Sequence, residues 1–107
     1  MEIVKKIWGE EHWLANDDFC CKELIINKGC SCSLHYHKIK DELFYISYGK
    51  VEIQLERNSK TYSPGEHCRV RQYVRHRFTA LENSMMIECS THHEDSDSYR
   101  IKESKKA

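Results

Sequence analysis

The sequence predicts an all-β fold, a sandwich or barrel of short antiparallel strands, from three observations. Seven runs rich in β-branched, aromatic and cysteine residues follow one another along the 107 residues. Small clusters of Gly, Pro, Asn, Ser and Lys separate them. Almost no stretch has a helical period. A chain of this length fits one domain with one core.

Residues 1–18 carry Ile3, Ile7, Trp8 and Trp13 among charged neighbours and are expected to form an N-terminal arm. The barrel core is expected over 19–91, with a C-terminal segment over 92–107 whose highly charged end after Arg100 is expected to fray. The first run, Phe19–Ile26, stops at Asn27-Lys28-Gly29, and the second covers Ser31–His37. Glu42–Tyr48 ends at Tyr48-Gly49-Lys50, where glycine suits a tight reversal. In Val51–Glu56 the apolar Val51, Ile53 and Leu55 alternate with Glu52, Gln54 and Glu56, the period of a half-buried strand. Arg57-Asn58-Ser59-Lys60 reads as a turn and Ser63-Pro64-Gly65 as another. The runs Glu66–Val70, Arg75–Leu81 and Met85–Thr91 complete the set, the last two separated by Glu82-Asn83-Ser84.

Lys+Arg and Asp+Glu each total 17, with the signs interspersed. No basic stripe marks a nucleic-acid partner. No apolar run is long enough to span a bilayer, and the start lacks the pattern of a secretory signal, so a cytoplasmic protein without a membrane partner is expected. The six cysteines include the adjacent pair Cys20-Cys21 and the closely spaced Cys30 and Cys32, with no C-x-x-C. These spacings suit reduced, half-buried strand residues better than a disulfide framework or a zinc ribbon. Alternation turns Cys30 and Cys32 away from the face of His35 and His37.

His35-Tyr36-His37, followed by Glu42, carries the most chemistry. Histidines at i and i+2 of a strand project from one face. If Lys38-Ile39-Lys40-Asp41 closes a hairpin, His37 lies opposite Glu42 and His35 opposite Phe44, with Cβ atoms roughly 5 Å apart. Two imidazoles and a carboxylate in so small a volume suit a divalent metal. The other face of that hairpin, Leu34, Tyr36, Leu43 and Tyr45, is also apolar or aromatic. It calls for a cover, from a second sheet, the N-terminal arm or a second copy of the chain, and a homodimer is expected.

Gly29-x5-His35-x-His37-x4-Glu42-x6-Gly49 resembles the first motif of the cupin superfamily, small antiparallel jelly-roll barrels that often bind metal. The resemblance implies a second motif ending in a third histidine. Gly65-x5-Arg71-x-Tyr73-x2-His76 has its register, so the implied metal ligands are His35, His37, Glu42 and His76. Arg71, Tyr73 and Ala80 replace the family's Pro, Gly and Asn there, which argues against a glycine-type backbone at Tyr73. His12, His67, His92 and His93 read as surface or hydrogen-bonded side chains.

A narrower resemblance runs along most of the chain. Ser33-Leu34-His35-Tyr36-His37…Glu42 is similar to the S-L-Q-x-H…E segment in the cupin domain of type II phosphomannose isomerases, with His35 in place of Gln. Trp8-Gly9 resembles that family's P-W-G entry, and Lys22 falls on a lysine of the strand before its glycine turn. Glu88-Cys89-Ser90-Thr91 and Asp97-Ser98-Tyr99-Arg100 are similar to its closing E-V-x-x and D-D-x-x-R segments. The nucleotidyltransferase domain commonly fused to that family is not in this sequence.

Three imidazoles and one carboxylate fill four positions of an octahedral ion and leave two adjacent ones for substrate. Neighbouring oxygens on C1 and C2 of an aldose or ketose match such a pair. The resemblance implies a metal-dependent sugar or sugar-phosphate isomerase, in nucleotide-sugar or polysaccharide supply, with Lys22 as the proton carrier and Arg100 assisting with substrate charge. These donors admit manganese, iron, nickel, cobalt or zinc. The alternatives are a mononuclear metal dioxygenase, for which Phe44, Ile46 and Phe78 would dry the pocket, and a non-catalytic sugar- or metal-binding cupin. The flank Lys38, Lys40, Arg75 and Arg77 favours a polar or anionic small molecule.

Overall fold

The computed structural model describes residues 1–107 and folds them into two antiparallel sheets packed face to face. In chain order the strands are β1 (Glu2–Lys6), β2 (Gly9–Asn16), β3 (Phe19–Ile26), β4 (Leu34–Tyr36), β5 (Glu42–Tyr48), β6 (Val51–Leu55), β7 (Asn58–Tyr62), β8 (His67–Val70), β9 (His76–Ala80), β10 (Ser84–Thr91) and β11 (Tyr99–Lys102). One sheet has the order β1-β2-β3-β10-β5-β8 and the other β11-β4-β9-β6-β7. The chain crosses between sheets repeatedly, the mark of a jelly roll rather than a meander. No helix is long and apolar enough to cross a membrane.

Alternation places the core where the sequence predicts it. Along β3, Cys20, Lys22, Leu24 and Ile26 are buried and the residues between them are not. Phe44 and Ile46 of β5, Met86 of β10, Val51 and Ile53 of β6 and Phe78 and Ala80 of β9 meet them between the sheets. Phe78 locks the layers together, with its ring edge-on to Trp8 at 5.1 Å and to Phe44 at 5.9 Å. Core and site divide the interior lengthwise. Ile46 and Ala80 lie toward one end of β5 and β9, and Glu42 and His76 begin the same strands at the other. Gly49, at φ +87°, turns β5 into β6; a Cβ there would lie 2.1 Å from Ser84 Oγ, so only glycine fits.

Four expectations are corrected. Residues 1–18 form no loose arm: β1 and β2 extend the six-stranded sheet, and Trp8 enters the core. Asn58-Ser59-Lys60 is strand β7 rather than turn, paired with β6 through its backbone while its side chains stay exposed. The C-terminal segment does not fray at Arg100: β11 pairs with β4, and Ser31 and Lys105 bond each other's backbones. The hairpin joining His37 to Glu42 does not form. β4 pairs with β9 and β11, whereas β5 lies in the opposite sheet between β10 and β8. The segment 38–41 spans the two layers because Asp97, buried, accepts the backbone N–H groups of Lys38, Ile39 and Lys40 at 3.0–3.2 Å.

The outer face has no cover from the N-terminal arm. Tyr36 stacks on Tyr99 of β11 at 5.2 Å, Leu34 and Leu43 are half-buried, and Tyr45 is exposed.

Candidate metal centre

His35 and His76 are direct partners across β4 and β9, and His37 follows the end of β4. Their ring centroids lie 4.3 Å (35–76), 5.0 Å (35–37) and 5.4 Å (37–76) apart. One ring nitrogen from each falls within 4.8 Å of the other two, so the three could hold a metal ion. Glu42 comes from the opposite sheet, its Oε2 3.2 Å from His37 Nε2 and 3.1 Å from His76 Nε2. The sequence-predicted donors therefore meet, but across the sandwich rather than along a hairpin.

The backbone sets the tautomer of every ring. His35 Nδ1 lies 2.8 Å from the Ser33 carbonyl, His37 Nδ1 3.0 Å from that of Asp97, and His76 Nδ1 2.9 Å from that of Val74. A carbonyl only accepts, so each Nδ1 carries a proton, and a neutral ring then offers its lone pair at Nε2. At His37 and His76 that nitrogen faces a carboxylate oxygen. Glu42 Oε2 and His76 Nε2 are buried with no hydrogen-bond partner, although they sit within contact distance. Two acceptors pressed together out of water are costly unless a proton or a cation lies between them. The donor set fits a divalent metal on that ground.

Charge in the site agrees. Burial, with His76 and His37 beside it, pushes His35 down to about 3, so its ring is neutral and ready to donate. Burial alone would raise the Glu42 carboxyl, but a proton or cation shared with His37 and His76, and the Lys40 ammonium, hold it well below the usual carboxylate range.

The donors open on a cavity of about 450 Å³ whose apolar floor includes Trp8, Phe44 and Phe78. Its wall on the six-stranded sheet is charged. Phe44, Glu88, Lys22 and Trp13 are successive register partners on β5, β10, β3 and β2. Lys40 Nζ lies 2.5 Å from Glu88 Oε2 and 3.6 Å from Glu42 Oε1. Lys22 Nζ lies 3.4 Å from Glu11 Oε1 and 4.0 Å from the centre of the Trp13 ring, and Lys6 reaches the other oxygen of Glu11 at 4.0 Å. Signs thus alternate from Glu42 through Lys40, Glu88, Lys22 and Glu11 to Lys6. Lys40 is almost wholly enclosed; burial would depress its ammonium, yet Glu88 and Glu42 raise it, and it stays charged.

Lys22 and Arg100 both line this cavity. Lys22 is 1 % exposed in the middle of a sheet, whereas Arg100 on β11 is largely exposed and 3.7 Å from Glu103. Of the expected basic flank only Lys40 reaches the cavity. Lys38 lies over the Tyr99 ring, Arg75 bonds Glu56, and Arg77 donates to the Cys32 carbonyl. Cys32 does line the cavity, against the alternation argument, because no regular strand runs from it to His35. The cysteines are all free, as expected, and burial pushes the Cys32 thiol up to about 12.

Sequence reasoning missed several contributors. His93 lines the cavity, with Nδ1 3.0 Å from Lys40 Nζ and Nε2 2.8 Å from Asp95 Oδ1. Glu88, Lys40, Glu11 and Asp97 carry no local signal of burial; only Glu88 and Asp97 lay in segments that the family resemblance marked. Tyr73 adopts the left-handed backbone that its side chain argued against, at φ +68°, and its N–H donates to the His37 carbonyl at 2.7 Å. That bond holds the loop before His76 against the one after β4.

No protein-family model matches the chain, and no curated protein matches its sequence. Solved structures match its fold. KdgF from Halomonas sp. is 24% identical, with a TM-score of 0.76 over 81% of each chain. An RmlC-like cupin from Shewanella frigidimarina is 18% identical, with a TM-score of 0.77 over 89% of this chain and 86% of that one. A variant of oxalate decarboxylase from Bacillus subtilis is 14% identical, with a TM-score of 0.81, and 94% of this chain spans 30% of its length. At these identities the likeness is one of fold: the chain is a cupin-type jelly roll.

Proposed function

We propose that this protein is a metal-dependent isomerase of sugars or sugar phosphates, of the kind seen in the cupin domain of type II phosphomannose isomerases. One observation carries the reading. Three imidazoles and a buried carboxylate converge, with Glu42 Oε2 and His76 Nε2 lacking hydrogen-bond partners, at the edge of a cavity whose wall is charged. In this reading His35, His37, His76 and Glu42 hold a single divalent ion. Such an ion would polarise a substrate carbonyl and stabilise the enediolate charge that develops as the adjacent carbon is deprotonated. Lys22 binds substrate oxygens from the enclosed wall, and Arg100 receives a charged group at the exposed rim. Alternating charges suit a polyhydroxylated ligand, because donors and acceptors lie side by side along it. Manganese, iron, nickel, cobalt and zinc all suit these donors.

We assign the exposed outer face of β5, with Tyr45 and Tyr48, to contact with a second copy of the chain. Light scattering should give twice the 12.8 kDa chain mass; a monomer at working concentrations contradicts the assignment.

The functional test loads the protein with each of the five metals and offers pentoses, hexoses and their phosphates. Aldose–ketose interconversion with at least one metal, absent in His37→Ala, is the expected result. Saturable sugar binding without turnover, or oxygen consumption, sinks the isomerase reading.

A further inference from the structure

Isomerisation needs a group that takes a proton from one carbon and returns it to the next, and we propose that this group is Glu88, resting on the isomerase reading above. Its two oxygens have different surroundings. Oε2 is tied by the Lys40 ammonium at 2.5 Å, the Ser90 hydroxyl at 2.9 Å and the Cys20 thiol at 3.8 Å. Oε1 receives no hydrogen bond from the protein, and the side chain lines the cavity. One oxygen is therefore anchored by three donors while the other is presented to whatever enters, the preorganised acceptor that proton abstraction requires.

Position supports the same role. Glu88 sits opposite Phe44, two residues along β5 from Glu42 and on the same inner face. A single ammonium, Lys40, reaches both carboxylates, so Glu88 lies beside the metal donors without being one of them. The other candidates are engaged. Lys22 is a cation between the Glu11 carboxylate and the Trp13 ring, and the free lone pair of His93 is turned to Lys40.

The chemistry closes without an outside reagent. The C–H electron pair next to the substrate carbonyl becomes the carbon–carbon double bond of the enediolate as Glu88 Oε1 takes the proton. Return of that proton to the neighbouring carbon, with a hydroxyl proton passing between the two oxygens, moves the carbonyl along by one carbon and restores the carboxylate.

The test is uptake of solvent deuterium at that carbon, read by mass spectrometry on metal-loaded protein with a panel of hexose and pentose phosphates. Glu88→Gln should slow exchange by at least about 100-fold with metal content unchanged. Glu88→Asp keeps the charge that Lys40 needs but withdraws the oxygen, and should slow exchange on the order of 10- to 100-fold with the fold intact. Exchange at wild-type rate in Glu88→Asp overturns the assignment, as does a loss that only tracks lost metal. Wild-type protein that exchanges no member of the panel overturns the isomerase reading and the role of Glu88 with it.

Discussion

The two walls of the cavity hold their polar side chains by opposite means. On the five-stranded side, His35 and His76, with His37 just beyond β4, are rings fixed by backbone carbonyls. On the six-stranded side, Glu42, Glu88, Lys22 and Glu11 are full charges fixed by one another and by Lys40. The first arrangement orients each ring through its Nδ1 and leaves its Nε2 to face the site, and at His35 it buries no charge. The second places charges under cover only because each has a counter-charge within reach. A metal-binding half and a substrate-binding half thus follow from two ways of making polar groups tolerable inside a protein. Glu42 belongs to both, giving Oε2 to the imidazoles and Oε1 to Lys40.

The comparison breaks most visibly at Lys40. Lys40→Met strands two buried carboxylates and should cost about 3–5 kcal/mol by chemical denaturation, with Lys40→Met/Glu88→Gln costing less than the sum of its parts. A loss below about 1 kcal/mol would mean that the charged wall does not depend on pairing.

Asp97 tests the backbone-held wall. Its carboxylate organises residues 38–40 and its carbonyl orients His37. Asp97→Ala should cost about 3 kcal/mol through the lost charged hydrogen bonds. It should also weaken metal binding by about 10- to 100-fold, measured by competition with a chromophoric chelator. Unchanged affinity would detach the loop from the site.

Acid should separate the two walls in metal-free protein. His35 refuses a proton until about pH 3, whereas an unfolded histidine accepts one near 6.5. The unfolded chain then binds more protons, and stability falls as pH drops from 6.5 toward 3. Glu42, held below its usual 4.5, adds stability that is present above that value and lost as pH falls further. Lys40, raised above 10.5, stays paired through neutral and mildly alkaline pH. Melting temperature should decline from about pH 6.5 to 4 and hold steady from about 7 to 8.5; a flat acid limb contradicts the burial of a neutral His35.

The smallest effect is expected at Tyr73. A left-handed backbone costs a non-glycine residue on the order of 1 kcal/mol, so Tyr73→Gly should be neutral to slightly stabilising with metal content unchanged. Clear destabilisation in a thermal melt would show that the side chain, not the backbone turn, is what matters there.

Much of this was legible in the chain. β3, β5, β6 and β10 follow from alternation; the nearness of His35, His37 and Glu42 follows from their spacing, and His76 joins them through the family resemblance. What failed was nonlocal. A spacing of four residues says that His37 and Glu42 are near, but whether a hairpin or a crossing brings them together depends on Asp97, far along the chain. β2 hid because its inward face carries Glu11 and Trp13 rather than aliphatic residues, and β7 because it pairs only through its backbone. The burial of Lys40 and Glu88 went unseen for the same reason, and Lys22 was marked only by the family resemblance. Nothing adjacent in sequence reveals that a counter-charge waits on another strand.

X-ray absorption at the metal edge of zinc- or manganese-loaded protein tests the central claim most directly. One ion per chain, with the scattering of about three imidazoles and a single carboxylate oxygen, is the predicted result. A sulfur neighbour, fewer than two imidazoles, or no stoichiometric uptake would contradict it.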